Sequence, residues 1–310
     1  MPVPRRRSAR VTSTAPRTWP PREDLLVQGE SLDVMRAFAN GIFEVVYADP
    51  PFGTGRDQVR RTVKARAQTR GRAGFGGRRY AVEAVSESRY ADDIPDYPEF
   101  IRPRLEEIRR LLSPTGTLYL HLDWRQSHRT KLLLDEIFGE ECFLNEIVWA
   151  YDFGGRSTRR WPSKHDTILV YVKDPERYHF DAAAVDREPY MAPGLVSAEK
   201  AARGKLPTDV WWHTIVPTNG GEKTGYPTQK PEGIVRRMVS ASSRPGGWCL
   251  DPFAGSGTLG AVAQALGRRF VMIDENPEAI SIAASRVGAR SRRAATATEL
   301  AQPVARAGRS

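Results

Sequence analysis

The strongest constraint on the fold is an eight-residue turn, Asp251-Pro252-Phe253-Ala254-Gly255-Ser256-Gly257-Thr258. It lies between a short apolar run at 248–250 and a stretch of helical periodicity at about 258–266. Glycines at such a turn let a ligand approach the backbone closely. The free N–H groups of the helix that follows favour a ligand anion. A second apolar run, 269–273, then ends at Asp274, and an acid at that place can accept hydrogen bonds from both ribose hydroxyls. These features together describe an adenosine-binding βαβ half. The dinucleotide fingerprint GxGxxG is incomplete, since only Gly255-Ser256-Gly257 is present, so a ligand with a carboxylate and no phosphate fits better than NAD. A glycine turn by itself reads equally as a structural turn; the helix and the spaced acid carry the ligand reading.

The rest of the chain is consistent with an α/β protein. Its 310 residues are 40% hydrophobic, enough for a core, and no apolar run approaches the roughly 18 residues of a membrane span. The basic start is not followed by an apolar segment, so no signal peptide is expected. Residues 1–24 are read as a disordered basic arm, with an organelle transit peptide as the alternative, and 289–310 as a disordered tail. Residues 43–48 form an apolar strand that Asp49-Pro50-Pro51 ends, because two prolines cannot continue a ladder. Residues 56–90 are expected to hold a mobile basic loop: 56–79 carry nine Arg or Lys against one acid. Helical spacing from Tyr97 to Leu112, a break at 113–116, strands at 117–122, 144–151 and 167–172, and a helix at about 126–138 follow. Residues 152–225 are rich in Arg, Gly, Pro and Trp and are read as an insert. Beyond them come helices at about 231–243, 258–266 and 277–287. The pattern predicts a Rossmann-like, doubly wound, mostly parallel sheet. Its halves are 25–151 and 226–288, with 152–225 inserted between them.

The second motif is Asp49-Pro50-Pro51-Phe52. Read blandly, it is a proline-rich strand exit. Read chemically, it sits where the catalytic groups of open α/β sheets belong, just past a strand's carboxyl end. An exocyclic amine on a base is a poor nucleophile because its lone pair is delocalised. The Asp49 carboxylate can accept one of its N–H groups and the Pro50 carbonyl the other, drawing the nitrogen toward sp³ geometry. Phe52 offers a ring for a flipped base to stack on. Such a reaction is a direct displacement whose rate comes mainly from positioning.

The pair DPPF and DPFAGSGT resembles the DNA amino-methyltransferases that modify adenine N6 or cytosine N4, and the order of the two motifs resembles their β group. Three further segments are similar to family segments: SPTGTLYLHLD at 113–123, HDTILVYVK at 165–173 and YPTQKP at 226–231. The resemblance covers about residues 25–287. It implies S-adenosylmethionine as cofactor, no metal, and double-stranded DNA as substrate. It further implies a donor site built from Asp251, Pro252, Phe253, Gly255, Ser256, Gly257, Thr258 and Asp274. Thr228 or Lys230 would stand near the methionine end, although TQKP reads equally as a cap on the following helix. Met272 departs from the small residue many relatives have before the ribose-binding acid, which makes Glu275 the neighbouring candidate.

Charge agrees with a polyanionic partner. Lys and Arg outnumber Asp and Glu by 47 to 37, for a net charge of +10, though a basic soluble protein would show the same total. Arg56, Arg60, Arg61 and Lys64 follow the DPPF tetrapeptide and are expected to hold phosphates, as are Arg66, Arg70, Arg72, Arg78 and Arg79. By analogy with the family, 152–225 is the target-recognition region, where Arg156, Arg159 and Arg160 beside Trp161 would meet DNA. Trp211 and Trp212 are read as packing residues. Two cysteines and no CxxC exclude a disulfide framework and argue against zinc, which fits a cytoplasmic, nucleoid-associated protein. A second copy of the chain and a cognate restriction endonuclease stand as further candidate partners. Adenine is favoured over cytosine N4 by the initial Asp and the Phe. An RNA methylase, a protein-glutamine methylase and a DNA-binding protein without catalysis are the remaining alternatives.

Overall fold

The computed structural model describes residues 10–12, 23–53, 58–73, 79–90, 94–154, 156–217 and 220–288. The chain divides into two compact units: Pro51–Tyr97, and the remainder on either side of it. Among the described residues no helix is long and apolar enough to cross a membrane.

The larger unit is built on a nine-stranded sheet. In chain order its strands are β1 (Arg10–Thr12), β2 (Leu25–Gln28), β3 (Phe43–Ala48), β6 (Leu112–Leu122), β7 (Phe143–Ala150), β8 (His165–Val172), β9 (Val210–Trp212), β10 (Trp248–Asp251) and β11 (Arg269–Asp274). The spatial order is β1-β2-β11-β10-β3-β6-β8-β7-β9. Every pairing is parallel except those of β8 with β6 and with β7. This is the mostly parallel α/β sheet that the alternation of strands and helices implied. Winding reverses between β10 and β3: from β10 the chain steps outward to β11, and from β3 the other way to β6. Ligands of open α/β sheets bind at such a point.

One face of the sheet carries Val45, Tyr47, Tyr119, Cys249, Phe270 and Met272 in a single buried cluster with residues of α5 (Glu232–Ser242), α6 (Thr258–Ala265) and α7 (Pro277–Val287). Tyr171, one residue on from Val170 of that cluster, packs its ring 5.6 Å from Phe138 of α3 (Ser127–Phe138) on the opposite face. Central strands buried on both faces read as the continuous apolar runs seen in the sequence. Local signals set the helix ends. Asn276 caps α7 by accepting from the Glu278 N–H at 2.9 Å, and Pro277 opens it. The remaining helices are α1 (Ser31–Arg36), α2 (Tyr97–Leu111) and α4 (Ala198–Arg203).

Four expectations change. First, the stretch read as a mobile loop at 56–90 contains an antiparallel hairpin in the smaller unit, β4 (Gln58–Ala73) with β5 (Arg79–Tyr90). Its sequence alternates: Val59, Val63, Ala65 and Ala67 share one parity, and Arg60, Lys64 and Arg66 the other. The register also places Arg61 opposite Glu87 and Lys64 opposite Glu83. Second, 152–225 is not a separate insert, because β8 and β9 belong to the central sheet. Third, the folded part begins before Leu25. Arg10–Thr12 pairs with β2, and Asp24 is buried, accepting from Arg269 at 2.7 Å. Fourth, 113–116 is a bulge within β6 rather than a gap before it, since the register with β3 shifts there. The rest of the N-terminal arm, the tail 289–310, Arg56 and Arg78 lie outside the described residues.

Candidate active site

Both sequence motifs end neighbouring strands at the winding reversal. The register pairs Leu250 with Val46 and with Val271, and Asp251 with Met272. Asp251 is therefore level with Tyr47, and Asp49 and Asp274 each lie two residues further along the flanking strands. Two loops about 200 residues apart in sequence thus meet at one edge of the sheet.

The glycine turn is held by its own acids. Asp251 is buried and accepts from the Phe253 N–H at 3.0 Å. Burial pushes its carboxyl well above the usual range; Asp49 and Asp274 add to this, while the Phe253 N–H and Lys230 oppose it. Asp274 Oδ2 accepts from the Gly255 N–H at 2.8 Å, and Oδ1 from the Asn276 N–H at 2.9 Å. Burial raises this carboxyl too, against those two N–H groups. Asp274 therefore reaches the turn, whereas Glu275 is exposed. Gly255 and Gly257 have φ of 48° and 75°, conformations that side chains rarely adopt. A Cβ on Gly257 would also come within 2.7 Å of Ala283 Cβ. Large Met272 is accommodated by Gly260 of α6, where any Cβ would overlap its Sδ and Cε. The departure noted at Met272 is thus offset across the strand–helix contact and leaves Asp274 in place.

Asp49 is half-buried just past β3, next to buried Pro50. Its Oδ2 takes the Lys230 ammonium at 2.5 Å. Its Oδ1 is buried and meets no hydrogen-bond partner among the described residues. Pro51 and Phe52, also half-buried, open the smaller unit.

The loop before α5 carries Lys230 to this place. Gln229 is buried; its Oε1 accepts from the Thr224 N–H and hydroxyl, each at 2.8 Å, and its Nε2 donates to the Glu222 carbonyl at 2.6 Å. Thr258, the first residue of α6, donates its hydroxyl to the Lys230 carbonyl at 3.0 Å. Arg286 donates to Thr258 Oγ1 at 3.0 Å and to Glu232 at 2.8 Å. Tyr226 stands so close to Gly255 that a Cβ there would lie 3.2 Å from its ring. Burial raises the Tyr226 hydroxyl, with Asp274 and Asp49 adding to it. Thr228, by contrast, is exposed.

Beneath Asp49 runs a polar chain that sequence reading missed. The Tyr47 hydroxyl lies 3.1 Å from His121 Nδ1, and His121 Nε2 lies 3.1 Å from Asp166 Oδ2. Tyr151 donates to Asp166 Oδ1 at 3.2 Å. Burial works against the charge on Asp166, but His121, Lys230 and Tyr151 together hold its carboxyl below the usual range. The available signal was a histidine inside the otherwise apolar run Leu118–Leu122, which must find partners when buried.

The carboxyl ends of β6, β7 and β9 face the same edge; exposed Trp124, Phe153 and Trp161 follow the first two, and exposed Trp212 ends β9. Arg156, Arg159 and Arg160 are exposed in the loop between β7 and β8. Trp211 is buried as expected, but Trp212 is 77% exposed and is not a packing residue. Alternation along β9 sends the two rings to opposite faces.

Residues 43–285 match the family model described as DNA methylase, of the adenine-N6 and cytosine-N4 kind. Type II methyltransferase M.HpaI of Haemophilus parainfluenzae is 35% identical over 193 residues, which is 62% of this chain. The chain spans 59% of the length of that relative. DNA adenine methyltransferase YhdJ of Escherichia coli strain K12 is 29% identical over 274 residues, covering 86% of this chain and 83% of its own. In fold, the chain is similar to PvuII DNA methyltransferase (cytosine-N4-specific), with a TM-score of 0.59 at 15% identity over 92% of this chain and 90% of that one. The M1.HpyAVI–SAM complex gives a TM-score of 0.55 at 18% identity over 84% and 98%.

Proposed function

The chain belongs to the DNA methylases that act on adenine N6 or cytosine N4, and on that premise we propose that it methylates adenine N6 in duplex DNA, with Asp49 and Pro50 presenting the target amine. It is an S-adenosylmethionine-dependent DNA methyltransferase. The observation that carries the proposal is Asp49 itself. It stands one strand away from the Asp251 turn, with one carboxylate oxygen tied to Lys230 and the other buried with no hydrogen-bond partner among the described residues.

The residues at the turn fit the donor. Gly255 and Gly257 take the left-handed φ that lets the turn bring its backbone close to a ligand, and a Cβ on Gly255 would crowd the Tyr226 ring. Each oxygen of Asp274 accepts one backbone N–H and keeps a lone pair for a ribose hydroxyl. When bound, the donor would supply a sulfonium methyl: the amine nitrogen would gain the carbon, and the sulfur would keep the bonding pair as a neutral thioether. Asp49 Oδ1 accepts one N–H of the target and the Pro50 carbonyl the other, localising the lone pair on nitrogen. After transfer the surplus amine proton leaves along the Asp49 hydrogen bond. Phe52 stacks on a base flipped from the duplex. Arg156, Arg159 and Arg160 hold the phosphates around it.

The Asp-first tetrapeptide ending in Phe favours adenine. The test is to incubate the protein with duplex DNA and S-adenosylmethionine and measure the methylated nucleosides by mass spectrometry. N6-methyladenine is expected. N4-methylcytosine would replace the adenine assignment, and no methylated base would overturn the proposal.

A further inference from the structure

Lys230 is not a surface lysine that happens to meet an acid. Its side chain is 13% exposed, and its ammonium sits 2.5 Å from Asp49 Oδ2 across 181 residues of sequence. Its backbone is clamped from both sides, by Thr258 at the start of α6 and by the Gln229 and Glu222 bonds of its own loop. A carboxylate offers two equivalent oxygens to a donor and can rotate between them. Here one oxygen is occupied, and the other is buried with no partner among the described residues.

We propose that Lys230 is a positioning residue for methyl transfer: by holding Oδ2 it fixes the rotation of the Asp49 carboxylate, so that Oδ1 is the single acceptor presented to the target N–H. This assignment rests on the reading of Asp49 as the group that receives the amine. It differs from a role in gripping the donor, because the contact seen is with Asp49. The charge arrangement supports it. Asp49, Asp251 and Asp166 gather around this edge, and the Lys230 cation acts favourably on both Asp251 and Asp166. A geometric role of this kind is worth a large factor, since displacement by about 1 Å can cost roughly 100-fold.

The experiment is a double-mutant cycle read by single-turnover methyl transfer on duplex DNA, with donor affinity measured by calorimetry. Lys230→Met should slow transfer by about 10- to 100-fold while donor affinity stays within about threefold, and Lys230→Arg should recover most of the rate. In an Asp49→Asn background, Lys230→Met should have little further effect on the rate, because the effect of Lys230 on transfer passes through the Asp49 carboxylate. Either an unchanged rate in Lys230→Met or donor binding weakened as much as the rate would overturn the proposal. So would a full additional loss in the Asp49→Asn background. If Lys230→Met does not fold, Lys230→Arg decides: a rate as low as that of Asp49→Asn sinks the idea. Retained turnover in Asp49→Asn alone would instead remove the catalytic reading of Asp49.

Discussion

Asp49-Pro50 and Asp251-Pro252 are the same dipeptide at the carboxyl ends of adjacent parallel strands, yet their carboxylates live in opposite environments. Asp251 is buried and bonded to the Phe253 N–H, and its neighbours Asp49 and Asp274 favour its neutral form. Asp49 is paired with a cation, and its other oxygen meets no hydrogen-bond partner among the described residues. The strand exit supplies the position, and what surrounds it decides the task. Asp251 braces the turn, while Asp49, on our proposal, is the group that meets the target amine. Local sequence is nearly silent on this division, because the groups that create it come from the 222–232 loop and from β11.

The largest contrast is expected in catalysis. Asp49→Asn should lower single-turnover transfer by about a thousandfold with donor affinity retained, because one amide N–H now points where an acceptor is needed. Asp251→Asn, whose Oδ1 can still accept the Phe253 N–H, should lose far less. Equal losses at the two exits would end the distinction between brace and acceptor.

A smaller effect tests the brace. Gly257→Val meets both a left-handed φ of 75° and Ala283, and should destabilise the fold by about 2–4 kcal/mol in urea unfolding. A change under about 0.5 kcal/mol would mean that the turn relaxes freely and does not depend on its geometry.

The smallest effect is a pH dependence of stability in the absence of donor. The raised folded value of Asp251 means that the native state holds this proton more tightly than the unfolded chain does. That contribution is complete below the unfolded carboxylate value of about 3.9 and is lost as pH rises through the folded value. Asp251→Asn cannot ionise and escapes the loss. The wild-type Tm should therefore fall relative to the Asn variant as pH rises from about 4 toward neutrality. The opposite trend would show Asp251 to be charged and stabilised by its charge.

Much of this was legible from the chain. The apolar runs at β3, β10 and β11, the glycine turn and the helices after Tyr97 and Asn276 all follow from patterns within a few residues. What was misread was also local but masked by charge. In β4 the alternation of Val and Ala with Arg and Lys is a strand signal, hidden by the expectation that a run of arginines is solvated loop. The 152–225 segment looked like a module because its loops dominate its composition, yet its two strands pair with the central sheet. Trp211 and Trp212 share one composition but face opposite ways, and only the strand assignment separates them.

Sequence by itself determined where strands stop, where the backbone must turn left-handed and which residues could bear the chemistry, because prolines, glycines and apolar periodicity act over short range. Tertiary structure alone decided that Lys230 meets Asp49, that Asp274 rather than Glu275 serves the turn, and that Gly260 makes room for Met272. Those pairings depend on strand order and register, and a side chain's face says nothing about which distant residue will arrive to share it.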